Sequence, residues 1–173
     1  MDFKNFTAPF YNVVNMLLMG IVFIGGLVFL IPDLMARFFV YVNHYHVDSK
    51  LVYTVFIAFS YMAGFLVSRV GSFIESCMRH KKGKNAKFYQ IPWRDYNLYC
   101  AARDKESFLN DLSREYGFAR NSTALVLLLA ILAGVHQDWC YLIGLVILFG
   151  LFYFATQKHA RKIVKRVDKI VKK

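Results

Sequence analysis

The chain has 173 residues, of which 57% are hydrophobic and only 19% charged, yet its 22 Lys and Arg against 11 Asp and Glu give a net charge of +11. Soluble domains are nearer to half apolar and a quarter charged, so this composition excludes an ordinary soluble domain. A chain that is both apolar and basic is typical of a membrane protein whose loops are held on one side by positive charge. Its 3 cysteines form no CxxC pair and predict no disulfide framework.

Four hydrophobic segments predict an all-α integral membrane protein built as a single membrane domain. A helix needs about 20 apolar residues to cross a bilayer, and the third segment is short unless residues 118–122 continue its helix into the headgroup region. The short polar sequence 136–138 predicts a tight hairpin between the last two spans. The predicted spans are approximately 13–31, 51–74, 120–135 and 139–155.

Positive charge is concentrated in two segments outside these spans. Residues 75–119 and Arg120 together contain 10 Lys and Arg, and the tail 156–173 contains 8. Since the loops of membrane proteins that carry most Lys and Arg stay in the cytoplasm, we expect both segments and the N-terminus to be cytoplasmic. The glycosylation sequons at Asn5 and Asn121 would then lie on the cytoplasmic side and stay unused.

An amphipathic helix is predicted at 93–117 within the first basic segment. Apolar residues such as Leu98, Leu109 and Leu112 recur there at helical spacing. Acids and bases are mixed on the opposite face, whereas helices that bind a membrane surface are usually basic on that face. The pattern therefore favours a collar in which this helix packs against neighbouring helices over a helix that lies on the membrane.

The tail has a second apolar stripe, which includes Ile163, Val167 and Ile170, opposite a basic face. Such a helix could rest on anionic lipid, where each Lys or Arg contributes about 1 kcal/mol. It could also associate with other copies in a short coiled bundle, or bind a polyanion such as an oligonucleotide. The candidate ligand- or lipid-binding residues of both basic segments are Arg79, Lys81, Lys82, Lys84, Lys87, Arg103, Arg114, Lys162, Lys165, Arg166 and Lys169.

The second span contains small residues at four-residue spacing. Such residues let two helices approach closely, and serine hydroxyls can bond across the contact; the same stripe could instead line a narrow pore. Arg69 in this span could extend to the headgroups, line a vestibule that favours anions, or pair with Glu75 in a gate. The candidate pore or helix-interface residues are Asn12, Asn15, Ser60, Gly64, Ser68, Arg69 and Ser72.

Nothing in the sequence predicts an enzyme, a cofactor or a metal site. The chain contains no nucleophile elbow, HExxH motif or phosphate-binding glycine loop. Almost no ionisable group is expected to be buried within the spans, which counts against catalysis in the membrane and against a monomeric transporter. His44 and His46 could bind a metal ion, but no third ligand is evident; the spacing of Arg37 and His44, which occurs in some ribonucleases, is best explained by chance.

The segment 64–75, which closes the second span, resembles small membrane proteins encoded in bacterial anti-phage defence loci, as does the step Arg120-Asn121-Ser122 into the last hairpin. The most similar type is the channel-forming effector of Hailong-type systems, and a second is the accessory pore protein of RNA-guided defence systems. The resemblance implies a homo-oligomeric ion channel, gated by a nucleotide or oligonucleotide, that depolarises the infected cell. The residues alone leave open a non-conducting scaffold that binds anionic membrane lipid or a cytoplasmic partner.

Overall fold

The computed structural model describes residues 3–45, 48–79, 102 and 108–171. Over these residues it is helical, with short turns and no strand. Four of the helices, all except α2, are long and apolar enough to cross a membrane, which confirms the predicted fold class. The helices are α1 (Phe3–Leu30), α2 (Pro32–His44), α3 (Ser49–Arg79), α4 (Phe108–Val135) and α5 (Trp139–Val171).

A proline separates the first two helices. The amide of Ile31 still donates to the carbonyl of Leu27, at 2.8 Å, and α2 begins at the next residue because proline is tolerated in the first turn of a helix, where no partner for its missing N–H is required. The short helix α2 occupies the connector between the first two spans. Tyr41 within it and Tyr45 directly after it are exposed, and their rings are 4.5 Å apart.

The turn between α4 and α5 closes the hairpin that the sequence predicts. Gln137 adopts a left-handed conformation with φ of 58°, and its amide donates to the carbonyl of Gly134 at 3.2 Å. The amide of Asp138 donates to the carbonyl of Ala133 at 3.0 Å, which completes a Schellman motif. This pair of bonds ends α4 and reverses the chain within three residues, so α4 and α5 pack side by side and antiparallel.

The helices form two pairs. In the first pair, α1 packs against α3, and in the second pair α4 packs against α5; the pairs meet where α3 contacts α4 and where α1 contacts α4. A core of buried apolar side chains joins them, and it includes Met19 on α1, Val67 on α3, Leu129 on α4 and Leu145 on α5. The outward faces of α1, α3 and α5 expose many large apolar side chains, as expected for helices surrounded by lipid.

A single helix, α4, contains both part of the predicted amphipathic segment and the third span. Its 28 residues have a length of about 42 Å at 1.5 Å per residue, which exceeds the roughly 30 Å of a hydrocarbon core. A second cluster of buried residues lies near its start, where Leu109 and Leu112 pack against Ile163 and Val167 of α5. We call the part of the second pair formed by 108–120 and 156–171 the basic end.

The basic end accounts for the apolar stripe of the tail. Ile163, Val164 and Val167 are buried, and the start of α4 supplies the side chains that cover them. The sequence-based alternatives for the tail, in which lipid or a second copy covers this stripe, did not include cover by α4. For the helix predicted at 93–117, the sequence favours packing against other helices over binding to the membrane. In the described part of this segment, Leu109 and Leu112 do pack against α5. Residues 93–101 and 103–107 lie outside the described residues.

Candidate functional site

The buried face of α3 follows a spacing that differs from the predicted one. Its buried residues are Ser60, Gly64, Val67, Gly71 and Glu75, at intervals of four, three, four and four. A helix turns about 100° per residue, so a strict four-residue spacing drifts by about 40° at each step, whereas alternation of three and four stays on one face. The predicted stripe therefore leaves this face, and its later members Ser68 and Ser72 are half-buried at the edge.

The first pair of helices crosses at two glycines. A Cβ atom on Gly20 would overlap the backbone carbonyl of Ser60, and one on Gly64 would overlap the carbonyl of Met16. These two contacts run in opposite directions along the chain, so α1 and α3 are antiparallel. Ser60 and Gly64 thus lie in a helix interface within the chain, and the alternative in which they line a pore does not fit this packing.

The polar side chains near this crossing are not joined by the bonds that the sequence suggests. The hydroxyl of Ser60 is fully buried and, like the buried Oδ1 of Asn15, has no hydrogen-bond partner among the described residues. The hydroxyl of Ser72 donates to the carbonyl of Ser68 in its own helix, at 3.1 Å. Asn12 is exposed on α1, so neither it nor these serines supports a polar contact across the two helices.

Arg69 lies on the outer face of α3, away from the packed interior, and is exposed. Its Cζ atom lies 4.7 Å from the centre of the Phe65 ring, a distance at which a guanidinium interacts with an aromatic face. Phe65 is one helical turn closer to Ser49, so the side chain extends away from the end of α3 at which Glu75 lies. Within the described residues, Arg69 makes no ion pair with a carboxylate.

Glu75 pairs with Arg120 of α4, and the alternative in which Arg69 pairs with Glu75 is not observed. The Nη1 of Arg120 donates to the Oε2 of Glu75 at 3.2 Å, and Nε and Nη2 donate to the Oδ1 of Asn121 at 3.4 and 3.2 Å. Glu75 is almost fully buried, while Arg120 retains about a fifth of its exposure. The pair lies inside the contact between α3 and α4, where Glu75 directly follows the predicted span 51–74 and Arg120 begins the predicted span 120–135.

The contact between α3 and α4 is close and polar at this level. A Cβ atom on Gly71 would lie 3.4 Å from the carbonyl oxygen of Arg120, 3.4 Å from the Oδ1 of Asn121 and 3.5 Å from the Cβ of Ala124. Asn121 is itself buried, which disfavours its use as a glycosylation acceptor. A methyl group at position 71 would thus lie in ordinary van der Waals contact with α4, one turn before the ion pair of Glu75.

A second polar contact lies between α4 and α5. The hydroxyls of Thr123 and Thr156 are 3.2 Å apart, and each also lies 2.8 Å from a carbonyl of its own helix, at Ala119 and Phe152. One helical turn further along α5, the Nδ1 of His159 lies 3.1 Å from the Oε2 of Glu115; this approach lacks the alignment of a hydrogen bond and becomes an ion pair only when the imidazole is protonated.

The basic end presents positive charge to solvent. Lys162, Lys165, Arg166 and Lys169 are exposed on α5, opposite the buried stripe, and the Cζ atom of Arg166 lies 6.0 Å from the ring centre of Phe108.

Arg114 on α4 differs from these residues because it is half-buried. Its Nη1 lies 3.4 Å from Asp111, and its Cζ lies 5.6 Å from the ring of Tyr11 on α1. The side chain of Arg79 and residues Lys81, Lys82, Lys84, Lys87 and Arg103 lie outside the described residues.

We find no match for the chain among protein families, curated proteins or solved structures. The candidate site therefore depends on the geometry given above. Sequence reasoning selected Arg69, Gly64 and Ser60, but it missed the Glu75–Arg120 pair, since the two residues are 45 positions apart. One signal in the sequence could have suggested this pair. Glu75 and Arg120 are the charged residues next to the apolar parts of the second and third spans, at the ends from which the two basic segments with 18 of the 22 Lys and Arg extend.

Of the two histidines that the sequence offers as metal ligands, the structure describes one. His44 is exposed at the end of α2, with its ring 5.0 Å from that of Tyr45, and His46 lies outside the described residues. No group of three or more metal-binding side chains occurs within the described ranges.

Proposed function

We propose that the chain is a subunit of a homo-oligomeric ion channel in a bacterial inner membrane, with Arg69 beside the conducting path. The observation that carries the proposal is the position of Arg69 on an otherwise apolar outer face of α3, where Met62, Phe65, Leu66 and Phe73 are exposed. An arginine within a span is costly when it faces lipid and its side chain does not extend to the headgroups, so such arginines usually face a protein interior or a water-filled path.

The direction of the Arg69 side chain supports this assignment over an anchoring role. An arginine that extends to the nearest headgroups would point toward the end of α3 at Glu75, which is six residues, or about 9 Å, away at the helical rise. Its guanidinium instead lies over Phe65, one turn in the opposite direction. Within an oligomer this face of α3 would be covered by a neighbouring subunit or by water, and the charge would no longer face lipid.

The packing of the monomer also favours conduction between subunits. Within the first pair, the backbones of α1 and α3 are in direct contact at Gly20 and Gly64. Apolar side chains fill the space between the two pairs, so neither place offers an ion path within one copy. A closed symmetric arrangement is the usual form of a homo-oligomer. In such an assembly each copy places one Arg69 at the same level, and a ring of arginines favours anions over cations.

The basic end is the proposed receiver of the signal. With both termini and this end in the cytoplasm, as the concentration of positive charge favours, the exposed lysines of α5 would meet a soluble anionic ligand. A nucleotide or oligonucleotide is the ligand class that the resemblance to defence effectors implies, and depolarisation of an infected cell is the corresponding outcome. The burial of the apolar stripe against α4 supports binding by charge rather than by insertion into lipid.

A non-conducting scaffold is the second candidate, and the same basic face favours it. Lys162, Lys165 and Lys169 are exposed along α5, and they could hold anionic lipid or an acidic cytoplasmic partner without any ion path. In this case Arg69 would be covered by another protein.

The two functions are separated by ion flux from liposomes that contain the purified protein, measured with and without short single-stranded oligonucleotides. We expect flux that increases when the oligonucleotide is present on the side of the basic end. Liposomes without protein and protein with the oligonucleotide on the opposite side are the controls. Absence of flux from protein shown to be folded and inserted would contradict the channel and favour the scaffold.

A further inference from the structure

The Glu75–Arg120 pair lies at the junction of the two helix pairs. Glu75 belongs to the first pair through α3, and Arg120 belongs to the second through α4. Each pair is held internally, by backbone contact at Gly20 in the first, and in the second by the hydroxyl contact of Thr123 with Thr156 and the apolar cluster around Leu109 and Val167. The larger apolar core is shared by the two pairs. The ion pair lies between these two units.

A buried ion pair has an unusual energetic role at such a junction. Removal of two charges from water is costly, and their attraction repays that cost only partly, so a buried pair contributes little net stability compared with apolar packing. When the two units separate and water enters, both charges recover their hydration. The ion pair therefore contributes little to the free-energy difference between the joined and separated arrangements at its own level, and a ligand that prefers one of them can shift the balance.

The junction also connects the two functional parts of the proposed channel. Glu75 follows Arg69 by six residues on the same helix, a rise of about 9 Å. Arg120 lies within the basic end, on the helix whose start covers the tail, and it contacts Asn121 as well as Glu75. A displacement of the basic end that withdraws Arg120 therefore acts directly on α3.

We propose that the Glu75–Arg120 pair is a latch between the two helix pairs, and that its opening moves α3, with Arg69, relative to α4 and α5. This regulatory role rests on the proposed channel function. The existence of the latch as a conformational device does not, because the relative motion of the two pairs can be measured without ion flux.

A disulfide across the junction tests the motion. The Cβ of Ala124 lies 3.5 Å from the position of a Cβ on Gly71, within the range of Cβ separations in disulfides, about 3.5–4.5 Å. The substitutions Gly71→Cys and Ala124→Cys are made together in the full chain after replacement of Cys77, Cys100 and Cys140 by serine. The rate of disulfide formation under mild oxidation in liposomes then reports how often the two helices are in contact.

We expect rapid disulfide formation when the latch is intact and a rate at least about tenfold lower with Glu75→Gln, which corresponds to a loss of about 1.4 kcal/mol in the joined state. Glu75→Asp, which keeps the charge but shortens the side chain, is expected to give an intermediate rate. Asp111→Asn is the matched control, because Asp111 forms an exposed pair with Arg114 at 3.4 Å. Equal rates for Glu75→Gln and Asp111→Asn, or slow formation with the latch intact, would overturn the latch.

Flux through the same disulfide variant tests the link to conduction. We expect the oxidised protein to lose its response to the oligonucleotide and to recover it on reduction. Full response in the oxidised state would overturn the gating role. A third outcome separates the two proposals. If the protein conducts in neither the oxidised nor the reduced state, but disulfide formation is slower with Glu75→Gln as expected, the channel function is contradicted and the latch is supported.

Discussion

The backbone of Gly20 on α1 lies directly against the carbonyl group of Ser60 on α3, with no space for a side chain between them. A close crossing of this kind maximises van der Waals contact between helices, which is a main source of helix association where lipid surrounds them. This contact determines which face of α3 packs against α1. It therefore also determines that the face with Arg69 points outward.

The first prediction concerns this crossing. Gly20→Ala places a methyl group within the space of the Ser60 carbonyl, so the helices must separate along part of their contact, and we expect a loss of about 2 kcal/mol or more in stability. Gly25→Ala is the control, because nothing lies within 4 Å of a Cβ at that position of the same helix. Thermal unfolding in detergent should show a lower midpoint for Gly20→Ala alone; equal midpoints for the two variants would contradict the crossing.

The second prediction concerns the threonine hydroxyls between α4 and α5. The two groups make three close approaches, to the Ala119 and Phe152 carbonyls and to each other, but they have only two hydrogens to donate. The cross-helix bond is therefore formed only when one hydroxyl leaves its own carbonyl. We expect Thr123→Val and Thr156→Val each to cost about 0.6 kcal/mol, the average for such bonds in membrane proteins.

A double-mutant cycle checks this pair. If the hydroxyls bond to each other, the double valine variant should cost about as much as either single variant, since each single change already removes the bond. Additive losses in the unfolding free energy would show that the two hydroxyls act only on their own helices.

The third prediction concerns the buried stripe of the tail. Val167→Asp places a charge among Leu109, Ile163 and the neighbouring apolar groups, where an unpaired carboxylate is strongly unfavourable. We expect the basic end to open and trypsin to cleave after Arg161 about tenfold faster. Lys165→Asp, on the exposed face of the same helix, should leave the cleavage rate at this site nearly unchanged, and an equal increase there would contradict the packing of the tail on α4.

The fourth prediction concerns the exposed lysines of α5. If the basic end binds a single-stranded oligonucleotide, replacement of Lys162, Lys165 and Lys169 by glutamine should reduce the slope of log affinity against log salt by about 2, at roughly 0.7 for each phosphate contact. The control is the combination of Arg37→Gln and Lys50→Gln, which removes two exposed charges outside the basic end. A slope that is unaltered in the triple variant would remove these lysines from the ligand site.

The sequence predicts the four long helices well, because an apolar run of this length has few alternatives to crossing a membrane. It also predicts the hairpin at 136–138, since a short polar interruption between apolar segments leaves room only for a turn. The packing of α4 on the tail could also have been predicted from this turn. Leu112 and Ile163 are separated from residue 137 by nearly the same number of residues, so an antiparallel hairpin brings them together.

Other features of the site depend on tertiary geometry. A four-residue repeat of Ser60, Gly64, Ser68 and Ser72 is visible in the sequence, but the drift of the helix moves the buried face onto Val67 and Gly71. The pairing of Glu75 depends on which helix packs beside α3, and local spacing favours Arg69 although α4 supplies Arg120.

The proposal for Arg69 is tested most directly by the ion selectivity of single channels. In a planar bilayer with a KCl gradient, the protein with Arg69 is expected to show a reversal potential displaced toward that of chloride, because a ring of arginines concentrates anions in the path. Arg69→Gln retains a polar side chain, shorter than that of arginine, and removes the charge. Arg37→Gln removes the same charge from α2, at an exposed position, and is the matched control.

We expect the reversal potential of Arg69→Gln to move toward zero or toward that of potassium, and that of Arg37→Gln to stay at the original value. The same reversal potential in all three proteins would contradict the placement of Arg69 beside the path.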